Sequence, residues 1–320
     1  MPARFEVVFL GTGSPLANAD RCGAGNVVVA GDQHVLVDCG WGAARRLIPS
    51  GVRPGDIDVA LFTHMHTDHM TDVPDFLFLR WTGGATKPLR VFGPEGTQEM
   101  IDGFLMALRR DIGFRQAHHG DKLHPDGIRV EVTEVPVSKG PEKFLELEGA
   151  RFESFEVDHF PVVPAFGYRV RFDDRSAILS GDTAFCESLV NASQGADMLV
   201  CEAMNVPMLE QLRQVLAAAG RVREAGLVGD IPSYHIATTE IAELARRAVD
   251  LAGGARMVYR NPRQAFSVGA TKVFAVDGEP VEVRWGEISS PAVVTAGGFV
   301  FEINDAGIEL LIRPPRPREG

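Results

Sequence analysis

The chain has 320 residues and a formal net charge of −11, with 45% apolar and 23% charged residues. Both fractions are typical of soluble globular proteins, and no apolar stretch is long enough to span a membrane. The negative charge disfavours nucleic acid as a partner, because that affinity depends on lysine and arginine side chains that neutralise phosphates. The apolar run that begins at Phe5 is too short for a secretory signal. The sequence therefore predicts a soluble, cytoplasmic protein without membrane contact.

Short apolar runs separated by turn residues open the chain at 5–10, 26–30 and 34–38, and each is a predicted strand. Beyond them, strand and helix periodicities alternate, which predicts an α/β fold. The further predicted helices cover 41–48, 72–80, 95–110, 185–193, 206–219 and 238–252, and the further predicted strands cover 58–63, 89–92, 129–135, 152–157, 166–171, 176–180, 197–201 and 256–259.

Helical periodicity stops after about residue 262, and the remaining runs alternate like strands between glycine-containing turns. We therefore expect one domain from 1 to 262 and a β-rich C-terminal extension from 263 to 320 that packs on it. The predicted strands of the extension cover 271–276, 280–284, 297–303 and 308–312.

The four cysteines lie far apart in the sequence and form no C-x-x-C pair. This spacing favours reduced, mostly buried thiols over a disulfide framework or a zinc site made of thiolates. They are Cys22, Cys39, Cys186 and Cys201.

A dense group of metal-ligand side chains follows the predicted strand 58–63. Three imidazoles and one carboxylate fall within six residues, so a single turn of chain can bring them around one small volume. This ligand set suits zinc best, and iron or manganese with less preference. The group is His64, His66, Asp68 and His69, flanked by Thr63 and Asp72, which are predicted to orient the ligands or to cap the next helix.

The pattern H-x-H-x-D-H at the end of a strand resembles the first metal motif of the metallo-β-lactamase superfamily. Four other landmarks resemble its ribonuclease Z and arylsulfatase-like branch, so that the resemblance covers residues 5–260. It implies an αββα sandwich of the metallo-β-lactamase type. The landmarks are Gly11-Thr12-Gly13-Ser14-Pro15, Val37-Asp38-Cys39-Gly40, Asp158-His159-Phe160-Pro161 leading to Phe166-Gly167-Tyr168, and Ser180-Gly181-Asp182-Thr183.

The resemblance also implies a role for each matching residue. Asp68 would orient the attacking hydroxide, His235 would protonate the leaving group, and Glu202 would support His235. The implied metal ligands are His64, His66 and His159 for the first ion, Asp68 and His69 for the second, and Asp182 bridging both.

The sequence departs from the family pattern at the last metal ligand. Relatives carry a histidine after the final core strand, but here that strand leads to Asn261, and no histidine follows His235. An amide oxygen is a weak ligand at best. We therefore expect one firmly bound Zn²⁺ and a second ion that is weakly bound or absent.

Three further histidines, His118, His119 and His124, lie in a polar segment that is predicted to connect a helix and a strand. They could line the pocket, bind a structural metal at a subunit contact, or be ordinary polar surface groups. The sequence leaves these alternatives open.

Taken together, the residues and the resemblance imply a metal-dependent hydrolase in which a metal-bound hydroxide attacks an activated centre. The negative charge favours a small-molecule substrate such as a sulfate ester, phosphodiester or lactone. The alternatives are a ribonuclease Z-like phosphodiesterase that processes tRNA 3′ ends, and a non-catalytic metal-binding member of the fold. A homodimer is expected.

Overall fold

The computed structural model describes residues 4–15, 21–248 and 256–257, and the strand segments 271–276, 279–284, 292–296, 299–304 and 307–311. The chain divides into two compact units. The first unit comprises Met1–Ser138, Lys143–Ser154 and Val162–Phe166, and the second comprises Lys139–Glu142, Phe155–Pro161 and Gly167–Gly320.

One six-stranded sheet lies in the first unit, with the strands side by side in chain order. Neighbours β1, β2 and β3 are antiparallel, and β3, β4, β5 and β6 are parallel. The strands are β1 (Phe5–Gly11), β2 (Gly25–Ala30), β3 (Gln33–Val37), β4 (Val59–Leu61), β5 (Leu89–Gly93) and β6 (Val130–Glu134), and the helices are α1 (Thr67–Met70), α2 (Val73–Thr82) and α3 (Thr97–His119).

The core of the first unit forms where apolar side chains of this sheet meet those of the helices. Phe62, Phe76 and Trp81 are among its fully buried members. Arg80 is also fully buried, and its guanidinium donates to the carbonyls of Ile57 and Gly127 and to the Asp58 carboxylate. Because a buried charge needs such partners, Arg80 fixes α2 against the segments on either side of it.

A second six-stranded sheet has the strand order β12-β11-β10-β9-β8-β7. In it β9 and β10 are antiparallel, whereas β10, β11 and β12 are parallel. Its strands are β7 (Glu142–Leu147), β8 (Ala150–Glu156), β9 (Phe166–Phe172), β10 (Arg175–Leu179), β11 (Met198–Val200) and β12 (Arg256–Met257), and the helices of this region are α4 (Glu187–Ala192), α5 (Val206–Ala218), α6 (Val222–Asp230) and α7 (Thr238–Ala248).

The C-terminal segments form strands, as the sequence predicts for this region. β13 pairs with β14 in a hairpin, and β15, β16 and β17 form a three-stranded antiparallel sheet. The domain boundary at residue 262 remains a prediction. The strands are β13 (Thr271–Val276), β14 (Glu279–Arg284), β15 (Ala292–Ala296), β16 (Phe299–Asn304) and β17 (Gly307–Leu311).

Several elements differ from the sequence prediction. The segment 41–48 contains only a 3₁₀ turn, Ala44–Arg46, and it begins beside Gly42 at φ +76°. Helix α3 continues nine residues past the predicted end, with an ion pair between Asp111 and Arg115 one turn apart. Strands β7 and β15 and helices α1 and α6 were not predicted. Within the described residues, no helix is long and apolar enough to cross a bilayer.

Candidate metal centre

The histidine cluster begins directly after β4. This strand is fully buried between β3 and β5, and the backbone N–H of Phe62 still donates to Phe92 O at 2.9 Å. The chain then leaves the sheet, and α1 starts one residue after His66. The cluster therefore lies at the carboxyl ends of parallel strands, which is where α/β proteins place ligands.

The four clustered side chains converge, as predicted. Nε2 of His64 lies 3.0 Å from Nδ1 of His66, and the rings of His64 and His69 are 4.1 Å apart between centroids. Nε2 of His69 lies 3.9 Å from Oδ2 of Asp68. His64, Asp68 and His69 are all buried. A polar cluster this compact is expensive to bury unless something compensates for it.

Asp38 provides part of that compensation through Thr63. The Thr63 backbone N–H donates to Asp38 Oδ1 at 2.8 Å, and its hydroxyl donates to Oδ2 at 2.9 Å. Because the Thr63 hydroxyl donates its proton to the Asp38 carboxylate, its oxygen can only accept a hydrogen bond from Nδ1 of His64, which lies 3.0 Å away. His69 Nδ1 donates to the same Asp38 Oδ2 at 2.9 Å. This network assigns the Nδ1–H tautomer to both His64 and His69.

The tautomers indicate what the cluster can bind. With Nδ1 protonated, Nε2 of His64 presents a lone pair toward Nδ1 of His66, 3.0 Å away. Two nitrogen ligands on one tetrahedral zinc ion are about 3.3 Å apart, given Zn–N bonds of about 2.05 Å. The spacing and the donor atoms of this pair therefore fit a zinc ion.

The loop after β3 packs tightly on α1. Asp38 has a left-handed backbone, with φ 58°, and a Cβ added at Gly40 would overlap the carbonyl oxygen of Asp68. Cys39 N–H donates to His69 O, and Asp72 N–H donates to Cys39 O. Asp72 occupies the N-cap position of α2, but its carboxylate accepts from Ala44 N–H and not from the helix. In the sequence Asp38 is recognisable only as part of a motif and its role was not predicted, although an acid directly after a buried strand is a usable signal.

A second cluster belongs to the second unit. His159 is buried, and its Nδ1 donates to the backbone carbonyl of Tyr234 at 2.9 Å. Its ring lies 5.2 Å from that of His235, and the Tyr234 ring lies 4.7 Å from His235. The segment that carries His159 is tied to the loop after β10 by the bond from Ala184 N–H to Asp158 O.

His235 is held by two carboxylates. Its Nδ1 lies 2.6 Å from Oε2 of Glu202 and 3.9 Å from Oδ2 of Asp182, and one ligand atom of each of the three residues lies within 4.8 Å of the others. Burial raises the pKa of the Glu202 carboxyl to about 8 and Asp182 adds to the rise, whereas the hydrogen bond from His235 opposes it. Thr183 N–H donates to the other Glu202 oxygen at 2.6 Å. The predicted support of His235 by Glu202 is thus a direct contact.

The cysteines do not compete as ligands. All four are free thiols, and burial raises the pKa of Cys39 and raises that of Cys201 to about 12. Among the described residues, the groups of side chains close enough to share a metal ion contain only histidine, aspartate and glutamate, a set that suits Zn²⁺, iron or manganese.

The remaining predicted residues lie elsewhere. His118 and His119 are exposed on the last turn of α3, and not in a connecting segment as predicted. His124 is exposed, and its ring accepts from Asp126 N–H at the start of a 3₁₀ turn. Asn261, the predicted weak ligand, lies outside the described residues.

The fold and the two clusters define a hydrolase of the metallo-β-lactamase fold. Residues 33–260 match the family described as a β-lactamase superfamily domain. The chain belongs to the metallo-β-lactamase superfamily and, within it, to the ribonuclease Z branch. It is an enzyme, a metal-dependent hydrolase, and the predicted αββα fold class is confirmed.

The branch assignment follows from the relatives. Ribonuclease Z of Mycobacterium sp. (strain KMS) is 39% identical over 246 residues, which cover 76% of this chain and 80% of the relative. Ribonuclease Z of Mycobacterium marinum is 38% identical over 247 residues, covering 76% of this chain and 82% of the relative. The human short-form tRNase Z structure is 20% identical with a TM-score of 0.56, over 76% of this chain and 88% of that one, and supports the fold.

These relatives correct one expectation. A small-molecule substrate was predicted and nucleic acid was disfavoured, and this prediction is wrong because the relatives are named as ribonucleases. The physical error was to apply a whole-chain charge of −11 to an interface. Phosphate binding depends on the local arrangement of cations, which a sum over the chain does not report.

Proposed function

We propose that the chain is a zinc-dependent phosphodiesterase of the ribonuclease Z type that cleaves the 3′ extension of tRNA precursors. The observation that carries the proposal is the identity of 39% to a ribonuclease Z over 80% of that relative's length. The two clusters add independent support, because they supply the ligands and the proton-transfer groups that hydrolysis of a phosphodiester requires.

The proposed ligands are those that the resemblance implied. The directed tautomers of His64 and His69, and the carbonyl contact of His159, suit neutral imidazole ligands. When bound, zinc supplies Lewis acidity toward the phosphate and lowers the pKa of a coordinated water toward ~7. The full proposed set is His64, His66 and His159 for the first ion, Asp68 and His69 for the second, and Asp182 shared by both.

Side chains of the protein position the water and donate the proton. Asp68 accepts a hydrogen bond from the attacking water and orients it toward phosphorus. As the bond from phosphorus to the leaving oxygen breaks, Nε2 of His235 donates a proton to that oxygen. Glu202 lies 2.6 Å from Nδ1 of His235, and this hydrogen bond fixes the ring so that Nε2 is left for the proton transfer.

The two ions are proposed to be unequal. The family's last histidine ligand is missing from the sequence after His235. The second ion therefore depends on Asp68, His69 and the shared Asp182, and it should bind more weakly than the first.

The test is cleavage of a tRNA transcript with a 3′ extension by the zinc-loaded full chain, with the cut mapped to single-nucleotide resolution. Asp182→Ala should abolish cleavage, whereas Asp174→Ala, at an exposed position in the turn between β9 and β10, should not. Turnover of aryl sulfates or lactones without RNA cleavage would contradict the proposal. Stoichiometric zinc with no turnover of any of these substrates would favour the non-catalytic alternative.

A further inference from the structure

The exposed side of α3 carries cations without counterions. Arg109 and Arg110 lie in the middle of the helix, both exposed, and neither forms an ion pair in the described part of the chain. His118 and His119 follow two turns later, and Lys122 follows just past the helix end. Residues 106–124 contain four lysine or arginine residues and two acidic ones, in a chain whose net charge is −11.

An exposed aromatic residue lies among these cations. Phe114 is 61% exposed, and Arg110, Phe114 and His118 follow one another at intervals of four residues along one side of the helix. Gly113 beside Phe114 adds no side chain, and a Cβ there would meet nothing within 4 Å. We call Arg109, Arg110, Phe114 and His118 the basic face of α3.

The opposite side of α3 packs against the core of the first unit. Phe104, Leu105, Leu108 and Ile112 pack on the core of the first unit, and Ile101 belongs to that core. The basic face is therefore the solvent side of a helix held firmly in place, and a ligand that binds there meets a rigid surface.

Helix electrostatics account for only part of this pattern. The helix dipole favours basic residues in the last turn, and this accounts for the position of His118 and His119. Arg109 lies ten residues before the helix end, where the dipole effect has faded. The exposure of Phe114 has no electrostatic explanation at all. A binding role explains both features.

Acidic groups on the same helix are separated from the basic face. Glu99 and Asp102 belong to the first two turns, and seven residues of helix put Arg109 about 10 Å beyond Asp102. That distance is about one Debye length at 0.1 M salt. Asp111, the closest carboxylate in sequence, is paired with Arg115 at 2.9 Å.

We propose that the basic face of α3 binds the RNA substrate away from the cleavage site, with the arginines on phosphates and the Phe114 ring against an unpaired base. The proposal rests on the proposed ribonuclease function. Its basis is charge complementarity: unpaired guanidiniums next to an exposed aromatic ring are the combination that RNA-binding surfaces use. It also explains how a chain with a net charge of −11 can bind a polyanion.

The first experiment measures binding of the 3′-extended tRNA transcript by fluorescence anisotropy from 50 to 300 mM salt, in the full chain carrying Asp182→Ala to prevent cleavage. Arg109→Gln with Arg110→Gln should weaken binding roughly tenfold. It should also reduce the slope of log K against log salt by about 1.8, for two lost phosphate contacts. Arg221→Gln with Arg223→Gln, at the start of α6, removes equal charge and should leave the slope unchanged.

A second variant tests the aromatic ring. Phe114→Ala should weaken RNA binding roughly 5- to 100-fold, and Phe114→Trp should restore it, whereas Phe114→Leu should not. In the catalytically intact chain, all of these variants should hydrolyse bis(p-nitrophenyl) phosphate at the normal rate, which shows that the fold and the metal site are intact.

Each other outcome contradicts the proposal in a distinguishable way. RNA cleavage with an unchanged salt slope in the α3 arginine variant overturns the basic face but leaves the proposed function standing. Failure of the intact chain to bind or cleave RNA, with bis(p-nitrophenyl) phosphate still hydrolysed, overturns both. Restoration by Phe114→Leu, with a halved molar mass for Phe114→Ala in light scattering, would assign this face to a second copy of the chain.

Discussion

Oδ2 of Asp38 accepts a hydrogen bond from Nδ1 of His69 at 2.9 Å, and the same oxygen accepts the Thr63 hydroxyl proton. The carboxylate thereby sets the tautomer of His69 directly and that of His64 through Thr63. Asp38→Asn should lower zinc affinity by about 10- to 100-fold, because the amide cannot accept at both places. Competition for zinc with a fluorescent chelator measures the affinity of each variant. Asp32→Asn, an exposed residue in the hairpin before β3, is the control, and an equal loss there would refute the role of Asp38.

Thr63 should be replaceable only by another hydroxyl residue. Thr63→Val removes the donor to Asp38 and the acceptor for His64 inside a buried network, and it should cost about 1–3 kcal/mol of unfolding free energy. Thr63→Ser keeps both bonds and should lose much less. Urea unfolding of the metal-free chains gives both values. Equal destabilisation by the two substitutions would show that the methyl group matters and the hydroxyl does not.

The proposed asymmetry of the metal centre predicts two zinc affinities. A calorimetric titration of the metal-free protein with zinc should show one tight binding site and a second site that is weak or not detected. His64→Ala should remove the tight site, whereas His69→Ala should affect only the weak one. The tight ion should raise the midpoint of thermal unfolding, because it binds the folded chain alone. Two sites of equal affinity would contradict the importance of the missing histidine.

His235 should matter only when the leaving group needs a proton. His235→Ala should slow RNA cleavage about 10²- to 10⁴-fold, yet hydrolysis of bis(p-nitrophenyl) phosphate should change little, since p-nitrophenolate leaves unprotonated. Glu202→Gln should show the same contrast in weaker form, because it leaves the imidazole in place. A comparable loss on both substrates would assign His235 a structural role.

Substitution of either of two glycines in α3 is expected to stabilise the fold. Gly103 and Gly113 lie inside the helix, and a Cβ at either position meets nothing within 4 Å. Replacing either with alanine should stabilise the chain by about 0.5–1 kcal/mol. Gly40→Ala is the contrasting variant, because its Cβ would overlap Asp68 O. The midpoints of thermal unfolding compare the three alanine variants. An unchanged midpoint for Gly40→Ala would show that the loop after β3 is not tightly packed.

The first metal motif could be predicted from the sequence because its residues are neighbours along the chain. His64 to His69 needs only one short turn to converge, and the buried strand before it was evident from its composition. Asp38 could not be assigned in the same way. Its contact with His69 spans 31 positions, and only the parallel pairing of β3 with β4 brings the two strand ends together.

The substrate class was mispredicted for a related reason. Composition reports the total of charges, whereas the proposed role of Arg109 and Arg110 depends on the side of α3 on which they lie. The helix was also predicted to end at residue 110, which left Phe114 and His118 outside it. Helical periodicity alone underestimated α3 because the side that faces solvent carries no regular polar pattern.

Position 38 is constrained by its backbone as well as by its side chain. With φ at 58°, Asp38 occupies a conformation that asparagine, aspartate and glycine tolerate and that β-branched residues resist. A saturation library should therefore separate into three groups: aspartate alone folds and retains full function, asparagine and glycine fold with an impaired metal centre, and valine or isoleucine loses soluble expression. A library of this kind distinguishes the two demands on one residue without a purified sample of any variant.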